Sequence, residues 1–258
     1  MKKYSNHIIV LDLDETLLTS DKNITPNTLN TLSRCKEKGF NIAISSTRGY
    51  GSCINVANLI DADYICCQAG NMIVDKDKNI LYKHPFSTQD ISDFIDYFSK
   101  YTNNFIIDSD TALYGGVDDD FSHSWGVIYK TNEELKKLPS YKICAYYEPH
   151  YKQEMIDYCK KHNFVCIEMR GNDFIMLITP ANSDKYYALE RLINILHTDH
   201  SKLVVFGDDT SDLLSIQKAG YGVAMANSRQ IVLEKAKYIT LSNDEDGVAR
   251  FLNKTFEI

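Results

Sequence analysis

The sequence lacks the features that would place the protein on nucleic acid, in a membrane or outside the cell. It has no basic cluster, and its formal net charge is −7, so a nucleic-acid partner is not expected. No apolar run approaches the roughly 20 residues needed to span a bilayer. The amino-terminal segment 1–7 has no apolar signal-peptide core. These absences predict a cytoplasmic protein that binds neither nucleic acid nor membrane.

The sequence also lacks any recognisable cysteine framework. Its seven cysteines show no C-x-x-C zinc spacing, and an odd number in a chain without an export signal favours reduced thiols over disulfides. We therefore interpret all seven as packing residues. The 258 residues, 44% of them hydrophobic, are enough for one large or two modest globular domains.

What the sequence does have is an apolar strand that ends in two carboxylates. The run 8–11 (IIVL) is short and rich in β-branched residues, which is typical of a buried parallel strand. Asp12 and Asp14 follow it, and side chains at i and i+2 of an extended segment share one face. Two unit charges about 4 Å apart repel by roughly 4 kcal/mol at an effective dielectric constant near 20, so we expect a cation there. The alternative is a surface turn in which both carboxylates are solvated.

Strand and helix patterns alternate at both ends of the chain but not in its middle. A β-α-β pattern extends to about residue 82 and resumes after residue 180, which favours a parallel sheet with right-handed crossovers. A strand-rich α+β stretch of about one hundred residues lies between, a plausible domain size. We therefore predict an α/β core from residues 1–82 and 183–258, and a second domain from residues 83–182. The last predicted elements are a helix over 227–237 and a short edge strand at 239–240.

Polar side chains follow three of the predicted parallel strands. They are Asp12, Asp14, Ser46, Asp208 and Asp212. Because the carboxyl ends of parallel strands lie at one edge of a sheet, we expect these groups to meet there, together with Lys185 at a helix start. Such an oxygen-rich site suits a hard divalent cation, and Mg²⁺ above all. Taken singly, Lys185 could be solvated and Asp212 could be a charge at a helix amino terminus.

Four segments, in order, resemble the four motifs of the haloacid dehalogenase (HAD) superfamily. They are residues 12–16 (DLDET), 45–48 (SSTR), Lys185 and 207–212 (GDDTSD). Residues 219–228 (AGYGVAMANS) and 242–249 (SNDEDGVA) further resemble the Cof-type phosphatases of subclass IIB. The resemblance spans the whole chain and implies a Rossmann-like core with an α/β cap domain inserted at residues 83–182.

The same resemblance implies a Mg²⁺-dependent phosphatase that acts on a small phosphorylated metabolite, such as a sugar phosphate or a related ester. Asp12 would be the nucleophile that forms an aspartyl phosphate, and Asp14 would act first as general acid and then as general base. The implied metal ligands are Asp12, the backbone carbonyl of Asp14, Asp208 and Asp212, the last directly or through water. The implied phosphate-binding groups are Ser46, Lys185, Ser211 and the backbone amides of Leu13 and Thr47.

Several positions depart from the family's pattern. Ser211 stands where asparagine is usual, Thr47 and Tyr186 replace glycines, and Ala69-Gly70 replaces Asn-Gly. None of these differences removes a charged catalytic group. We therefore expect them to affect how the substrate is held rather than the chemistry itself.

The sequence leaves substrate selection and two alternative functions open. The candidates for choosing the leaving group are Tyr114, residues 118–120, His123 and Trp125, which could equally be surface or core positions. Arg48 is interpreted as a structural ion-pair partner and Asn227 as a residue that shapes the loop near the site. The alternatives to a phosphatase are a phosphomutase of the same superfamily, which uses the same aspartates, and a non-catalytic protein that binds a phosphorylated ligand.

Overall fold

The computed structural model describes residues 3–102, 104–110, 112–117, 126–168 and 174–258. The chain folds into two compact units. The first unit contains Met1–Tyr82 and Asp184–Ile258, and the second contains Lys83–Ser183. Within the described ranges, no helix is both long enough and apolar enough to cross a membrane.

Strands and helices alternate in the first unit, whereas strands dominate the second. The strands are β1 (Ile8–Leu11), β2 (Asn41–Ser45), β3 (Tyr64–Cys67), β4 (Met72–Asp75), β5 (Ile80–Lys83), β6 (Phe105–Asp108), β7 (Leu113–Gly115), β8 (Ile128–Tyr129), β9 (Lys142–Tyr146), β10 (Val165–Glu168), β11 (Ile175–Thr179), β12 (Leu203–Gly207), β13 (Tyr221–Ala224) and β14 (Tyr238–Ile239). The α-helices are α1 (Pro26–Lys38), α2 (Tyr50–Leu59), α3 (Thr88–Phe98), α4 (Asn132–Leu135), α5 (Lys152–Lys161), α6 (Lys185–Leu196), α7 (Leu213–Lys218), α8 (Gln230–Leu233) and α9 (Gly247–Phe256).

The first unit is built on an eight-stranded sheet in the order β14-β13-β12-β1-β2-β3-β4-β5. Neighbouring strands from β14 to β3 pair in parallel, and β4 pairs antiparallel with β3. β1 lies in the middle, between β12 and β2. The predicted α/β class with a parallel sheet is confirmed.

The residues of the central strands are buried on both faces of this sheet. On one face, Val10 and Val205 belong to a core cluster that includes Leu192 of α6. On the other face, Phe206 packs edge-on against Phe251 of α9, with their ring centroids 5.5 Å apart. Burial on both faces explains why β1 is a continuous apolar run rather than an alternating pattern.

The second unit has a six-stranded sheet in the order β10-β11-β9-β6-β7-β8. Its pairings are antiparallel except for β7 with β8. Helix α3 begins at a capping box between Ser87 and Asp90, and it places Phe94 and Phe98 in the core of this unit. Tyr158 of α5 packs against both phenylalanine rings, at centroid distances of 5.9 and 5.0 Å.

A left-handed turn follows β3. Gln68, Ala69 and Gly70 have φ angles of 56°, 53° and 91°. A residue other than glycine costs roughly 1–2 kcal/mol in the left-handed conformation, so the first two residues of this turn are strained. Gln68 and Ala69 are nevertheless buried, with exposed fractions of 0% and 5%. The surrounding structure therefore holds the turn in this conformation.

Near the carboxyl terminus, one predicted helix is shorter than expected and another helix was not predicted. The helix predicted over residues 227–237 is α-helical only at Gln230–Leu233. It starts late because Asn227 and Ser228 use their side chains to bond carbonyl groups of other segments, Glu15 and Gly207. The sequence analysis did not predict α9, although its buried residues recur at helical spacing.

Candidate active site

Three strands bring the predicted site residues to one edge of the sheet in the first unit. Asp12 directly follows β1, Ser46 follows β2, and Asp208 follows β12. Leu11, the last residue of β1, is paired with Phe206 on one side and with Ile44 on the other. The parallel register therefore places these three strand ends side by side.

Three buried carboxylates meet at this edge. Asp12, Asp208 and Asp212 each contribute one oxygen, and these oxygens lie within 4.8 Å of one another. The three residues are only 6%, 2% and 2% exposed. Asp212 reaches the cluster because Gly207 leaves room for it: a Cβ on Gly207 would lie 2.4 Å from the Asp212 Cβ.

Lys185 is the cation that the sequence analysis expected beside Asp12. Its Nζ lies 2.7 Å from Asp12 Oδ1 and 2.8 Å from Asp212 Oδ1, and the residue is buried at the start of α6. Asp184, the N-cap residue of α6, accepts a hydrogen bond from the backbone N–H of Tyr187 at 2.8 Å. A capped helix start thus directs Lys185 between two of the three carboxylates.

The cluster carries more negative charge than the lysine can balance. Burial raises the pKa of Asp12 above its ordinary range, and the neighbouring carboxylates add to this effect although Lys185 opposes it. Burial and the charge of Asp212 raise the pKa of Asp208 to about 6. Burial lowers the pKa of Lys185, but the charges of Asp12 and Asp212 outweigh it and the pKa is raised overall. Three carboxylates and one ammonium leave a formal charge of −2 when all are ionised.

This charge and these donors fit a hard divalent cation. The donors are carboxylate oxygens, the ligands that Mg²⁺ prefers, and a dication would neutralise a formal charge of −2. Buried charges need such compensation, because an uncompensated one is costly away from water.

Asp14 is oriented differently from the other aspartates. It accepts two hydrogen bonds from the Arg48 guanidinium, from Nε at 2.8 Å and from an Nη at 2.6 Å, and it forms a second ion pair with Lys22 at 3.2 Å. Partial burial would raise the pKa of Asp14, but the hydrogen bonds and charges of Arg48 and Lys22 lower it overall. Arg48 is therefore an ion-pair partner, as predicted, and its partner is the proposed general acid.

The remaining predicted phosphate-binding residues lie in the adjoining turns. Ser46 is buried, and its Oγ accepts a hydrogen bond from the backbone N–H of Arg48 at 3.2 Å. Leu13 is buried after β1, and Thr47 is half-buried beside Ser46. Ser211 is half-buried next to Asp212, in the turn that precedes α7.

Sequence reasoning missed one polar contact of the carboxylate cluster, but it predicted that Asn227 contacts the neighbouring loop. Thr16 is almost fully buried, and its Oγ1 donates to Asp208 Oδ1 at 2.9 Å, which fixes the orientation of that carboxylate. The sequence did contain a signal for this contact, because Thr16 is the last residue of the DLDET segment that carries Asp12 and Asp14. Asn227 was predicted to shape the nearby loop, and its Nδ2 donates to the carbonyl of Glu15 at 2.8 Å.

Of the candidates for choosing the leaving group, only Tyr114 lies among the residues that the structure describes. Tyr114 packs against the hydrophobic core of that unit. Residues 118–120, His123 and Trp125 lie outside the described residues.

Comparison with known proteins identifies the family. A family model described as haloacid dehalogenase-like hydrolase matches residues 9–252. The chain is 24% identical over 246 residues to the 5-amino-6-(5-phospho-D-ribitylamino)uracil phosphatase YcsE of Bacillus subtilis, which covers 94% of this chain and 93% of the relative.

Solved structures show the same fold. A haloacid dehalogenase-like hydrolase from Bacteroides thetaiotaomicron superposes with a TM-score of 0.85 at 23% identity, covering 96% of this chain and 98% of that chain. A structure described as a HAD subclass IIB sugar phosphatase superposes with a TM-score of 0.82 at 17% identity, covering 98% and 100%. The resemblance predicted from the sequence is confirmed: the chain belongs to the haloacid dehalogenase-like hydrolase family.

Proposed function

We propose that the protein is a Mg²⁺-dependent phosphatase that hydrolyses phosphate monoesters of small metabolites through an aspartyl phosphate at Asp12. The observation that carries this proposal is the buried cluster of Asp12, Asp208 and Asp212 with Lys185 Nζ 2.7 Å from the Asp12 carboxylate. In this proposal, the cluster supplies a nucleophile and a set of metal ligands at one sheet edge, and Lys185 is a fixed cation beside them. The first unit is then the catalytic core, and the second unit is the cap inserted into it.

The proposed metal site uses Asp12, Asp208, Asp212 and the backbone carbonyl of Asp14. A bound Mg²⁺ would act as a Lewis acid toward the phosphoryl oxygens and would shield the Asp12 carboxylate from the negative charge of the substrate. Thr16 would keep Asp208 oriented toward the cation through its 2.9 Å hydrogen bond.

In the first step, a carboxylate oxygen of Asp12 attacks phosphorus and the bond from phosphorus to the ester oxygen breaks. Lys185 places a positive charge beside Asp12, where negative charge accumulates on the phosphoryl oxygens. Ser46, Ser211 and the backbone amides of Leu13 and Thr47 are the groups proposed to hold those oxygens. The leaving alcohol takes a proton from Asp14.

In the second step, Asp14 removes a proton from a water molecule, which attacks phosphorus and releases inorganic phosphate while Asp12 is regenerated. The ion pair with Arg48 favours ionised Asp14, which is the form required in this step. Donation of a proton in the first step requires a protonated carboxyl group. Asp14 must therefore be free of Arg48 and protonated when it contacts the leaving-group oxygen in the first step, and it can pair with Arg48 only after it has given up that proton.

The substrate class is proposed from the sequence relative. YcsE is named for a phosphate ester of a ribityl compound, and we propose a sugar phosphate or a related polyol ester for this chain. Fold and core chemistry alone do not fix the leaving group.

The test is phosphate release from p-nitrophenyl phosphate and from a panel of sugar and polyol phosphates in Mg²⁺. We expect Asp12→Asn to abolish turnover. Asp209→Asn is the matched control, because Asp209 is adjacent to Asp208 but pairs with Arg229 at 2.7 Å instead of joining the cluster. An Asp12→Asn variant with full activity would refute the assignment of the nucleophile.

Two other experimental outcomes would indicate a function other than the proposed hydrolysis. Production of an isomeric phosphate ester that depends on a bisphosphate activator would indicate a phosphomutase. Saturable binding of phosphate esters in Mg²⁺ without turnover would indicate a non-catalytic binding protein.

A further inference from the structure

We propose that the left-handed turn Gln68–Gly70 is a positioning element of the active site, which fixes Lys185 and the backbone of Arg48 at the same time. The proposal rests on the phosphatase activity proposed above. The turn itself is not expected to touch the substrate. It would act through the two residues that it holds.

One end of the turn lies against the start of helix α6. A Cβ built on Gly70 would lie 2.0 Å from the carbonyl oxygen of Asp184 and 2.6 Å from its carbonyl carbon. Real Cβ atoms essentially never come within 3.0 Å of such neighbours, so any side chain here would displace the backbone of Asp184 by about 1 Å. The next residue is Lys185, and its Nζ bridges Asp12 and Asp212 at 2.7 and 2.8 Å.

The other end of the turn is bonded to the loop after β2. The backbone N–H of Gln68 donates to the carbonyl of Arg48 at 2.8 Å, and the Arg48 guanidinium holds Asp14. Asn71 closes the turn, since its Nδ2 donates to the carbonyl of Gln68 at 2.9 Å. Three residues therefore connect the segment that carries Lys185 with the segment that holds Asp14.

The backbone conformation supports a positioning role. All three residues adopt a left-handed conformation, and two of them, Gln68 and Ala69, are not glycine and therefore resist it. Backbone strain of this kind persists only where the surroundings determine the conformation, and it occurs most often at functional sites. If the backbone of residues 68–70 were right-handed or extended, Gly70 would no longer lie against the carbonyl of Asp184, and the Gln68 N–H would no longer point to the carbonyl of Arg48.

The main test is Gly70→Ala, with Gly51→Ala as the matched control. Gly51 has open space where its Cβ would be placed. We expect Gly70→Ala to lower kcat about 10- to 100-fold, because a displacement near 1 Å at a catalytic group can cost that much. KM should change less than kcat, and Gly51→Ala should behave as wild type.

Two readouts separate positioning from simple destabilisation. In a Lys185→Ala background, Gly70→Ala should lower kcat by less than twofold, because its effect is transmitted through Lys185. Without substrate, Mg²⁺ should raise the Tm of Gly70→Ala more than that of wild type, because a displaced ammonium neutralises Asp12 and Asp212 less well. An effect limited to Tm in the absence of metal, with wild-type kcat, would overturn the proposal.

A second variant covers the case in which Gly70→Ala does not fold. Asn71→Ala removes the side-chain bond across the turn without placing an atom against Asp184, leaves the 3.2 Å backbone bond between the same two residues, and should lower kcat several-fold. Asn253→Ala is its control, since it loses a comparable side-chain bond, to Thr31 at 3.2 Å, outside the site. Equal kcat in these two variants would contradict the proposal. If wild type releases no phosphate, the proposed function fails instead, and the Mg²⁺ dependence of Tm still tests the position of Lys185.

Discussion

Removal of the Lys185 charge tests the electrostatics of the proposed site. In Lys185→Met, the cluster of Asp12, Asp208 and Asp212 changes from a formal charge of −2 to −3 without becoming more exposed. Breaking a buried ion pair by removing one partner costs about 3–5 kcal/mol, because the other partner is left buried without compensation. We therefore expect the free energy of unfolding in EDTA to fall by about that amount, together with a loss of activity on the order of 10²- to 10³-fold.

Mg²⁺ should distinguish this variant from an ordinary destabilised protein. A dication bound at the cluster leaves a charge of −1 in the variant and zero in wild type, but the more negative site attracts the cation more strongly. A ligand that binds only the folded state stabilises it by RT ln(1 + [L]/Kd). Mg²⁺ should therefore raise the unfolding free energy of Lys185→Met by more than that of wild type.

The assay is urea unfolding in EDTA and across a Mg²⁺ titration. Lys142→Met is a suitable control, because Lys142 forms a buried ion pair with Asp108 at 2.9 Å in the second unit. It should lose comparable stability in EDTA without a greater response to Mg²⁺ than wild type. The reasoning is refuted if Lys185→Met unfolds at the wild-type urea concentration in EDTA, or if its response to Mg²⁺ is no larger than that of the control.

Three further predictions concern Arg48, Asp246 and Ala69 of the first unit. Arg48→Lys should lower kcat, because a lysine cannot reproduce the two hydrogen bonds that Arg48 donates to Asp14; a wild-type kcat in this variant would show that these bonds do not matter for catalysis. Asp246→Asn should cost about 1–2 kcal/mol at pH 7 in urea unfolding, because the carboxylate accepts bonds from Thr25, Asn27 and Thr28. Partial burial would raise the pKa of Asp246, but these bonds together lower it. Its stabilisation is therefore present above its unfolded pKa and lost as the pH falls through the folded value; a penalty that stays constant down to pH 3 would argue against this origin. Ala69→Gly should keep kcat within about twofold of wild type, because glycine adopts the same left-handed conformation. The unfolding free energy should change by less than about 1 kcal/mol, since relief of left-handed strain offsets the added chain entropy and the loss of a buried methyl group; a loss of several kcal/mol would contradict the strain assigned to Ala69.

The parts of the fold that were predictable are those with a strong local signal. The apolar run that forms β1 is bounded by Asp12, and α1 has a threonine cap, proline at its first position and glycine at its end. Such signals lie within a few residues of one another and do not depend on contacts with distant segments. The helix α9 also carried its signal, in the spacing of Val248, Phe251 and Leu252, and it could have been found.

The parts that were not predictable depend on contacts between distant segments. Arg48 and Asp14 are 34 positions apart, and nothing in either segment specifies that the guanidinium bonds to this carboxylate. The left-handed conformation of Ala69 is also invisible locally, because alanine normally avoids it. It becomes intelligible only when Gly70 is seen against the carbonyl of Asp184.

Trapping the covalent intermediate is the most direct test of the proposed chemistry. The enzyme would be mixed with substrate and Mg²⁺, quenched in acid and treated with borohydride, which reduces an aspartyl phosphate to homoserine. Peptide mass spectrometry should then find homoserine at position 12 in wild type and none in Asp12→Asn. Rapid turnover without modification of residue 12, or modification of another carboxylate, would contradict the central claim.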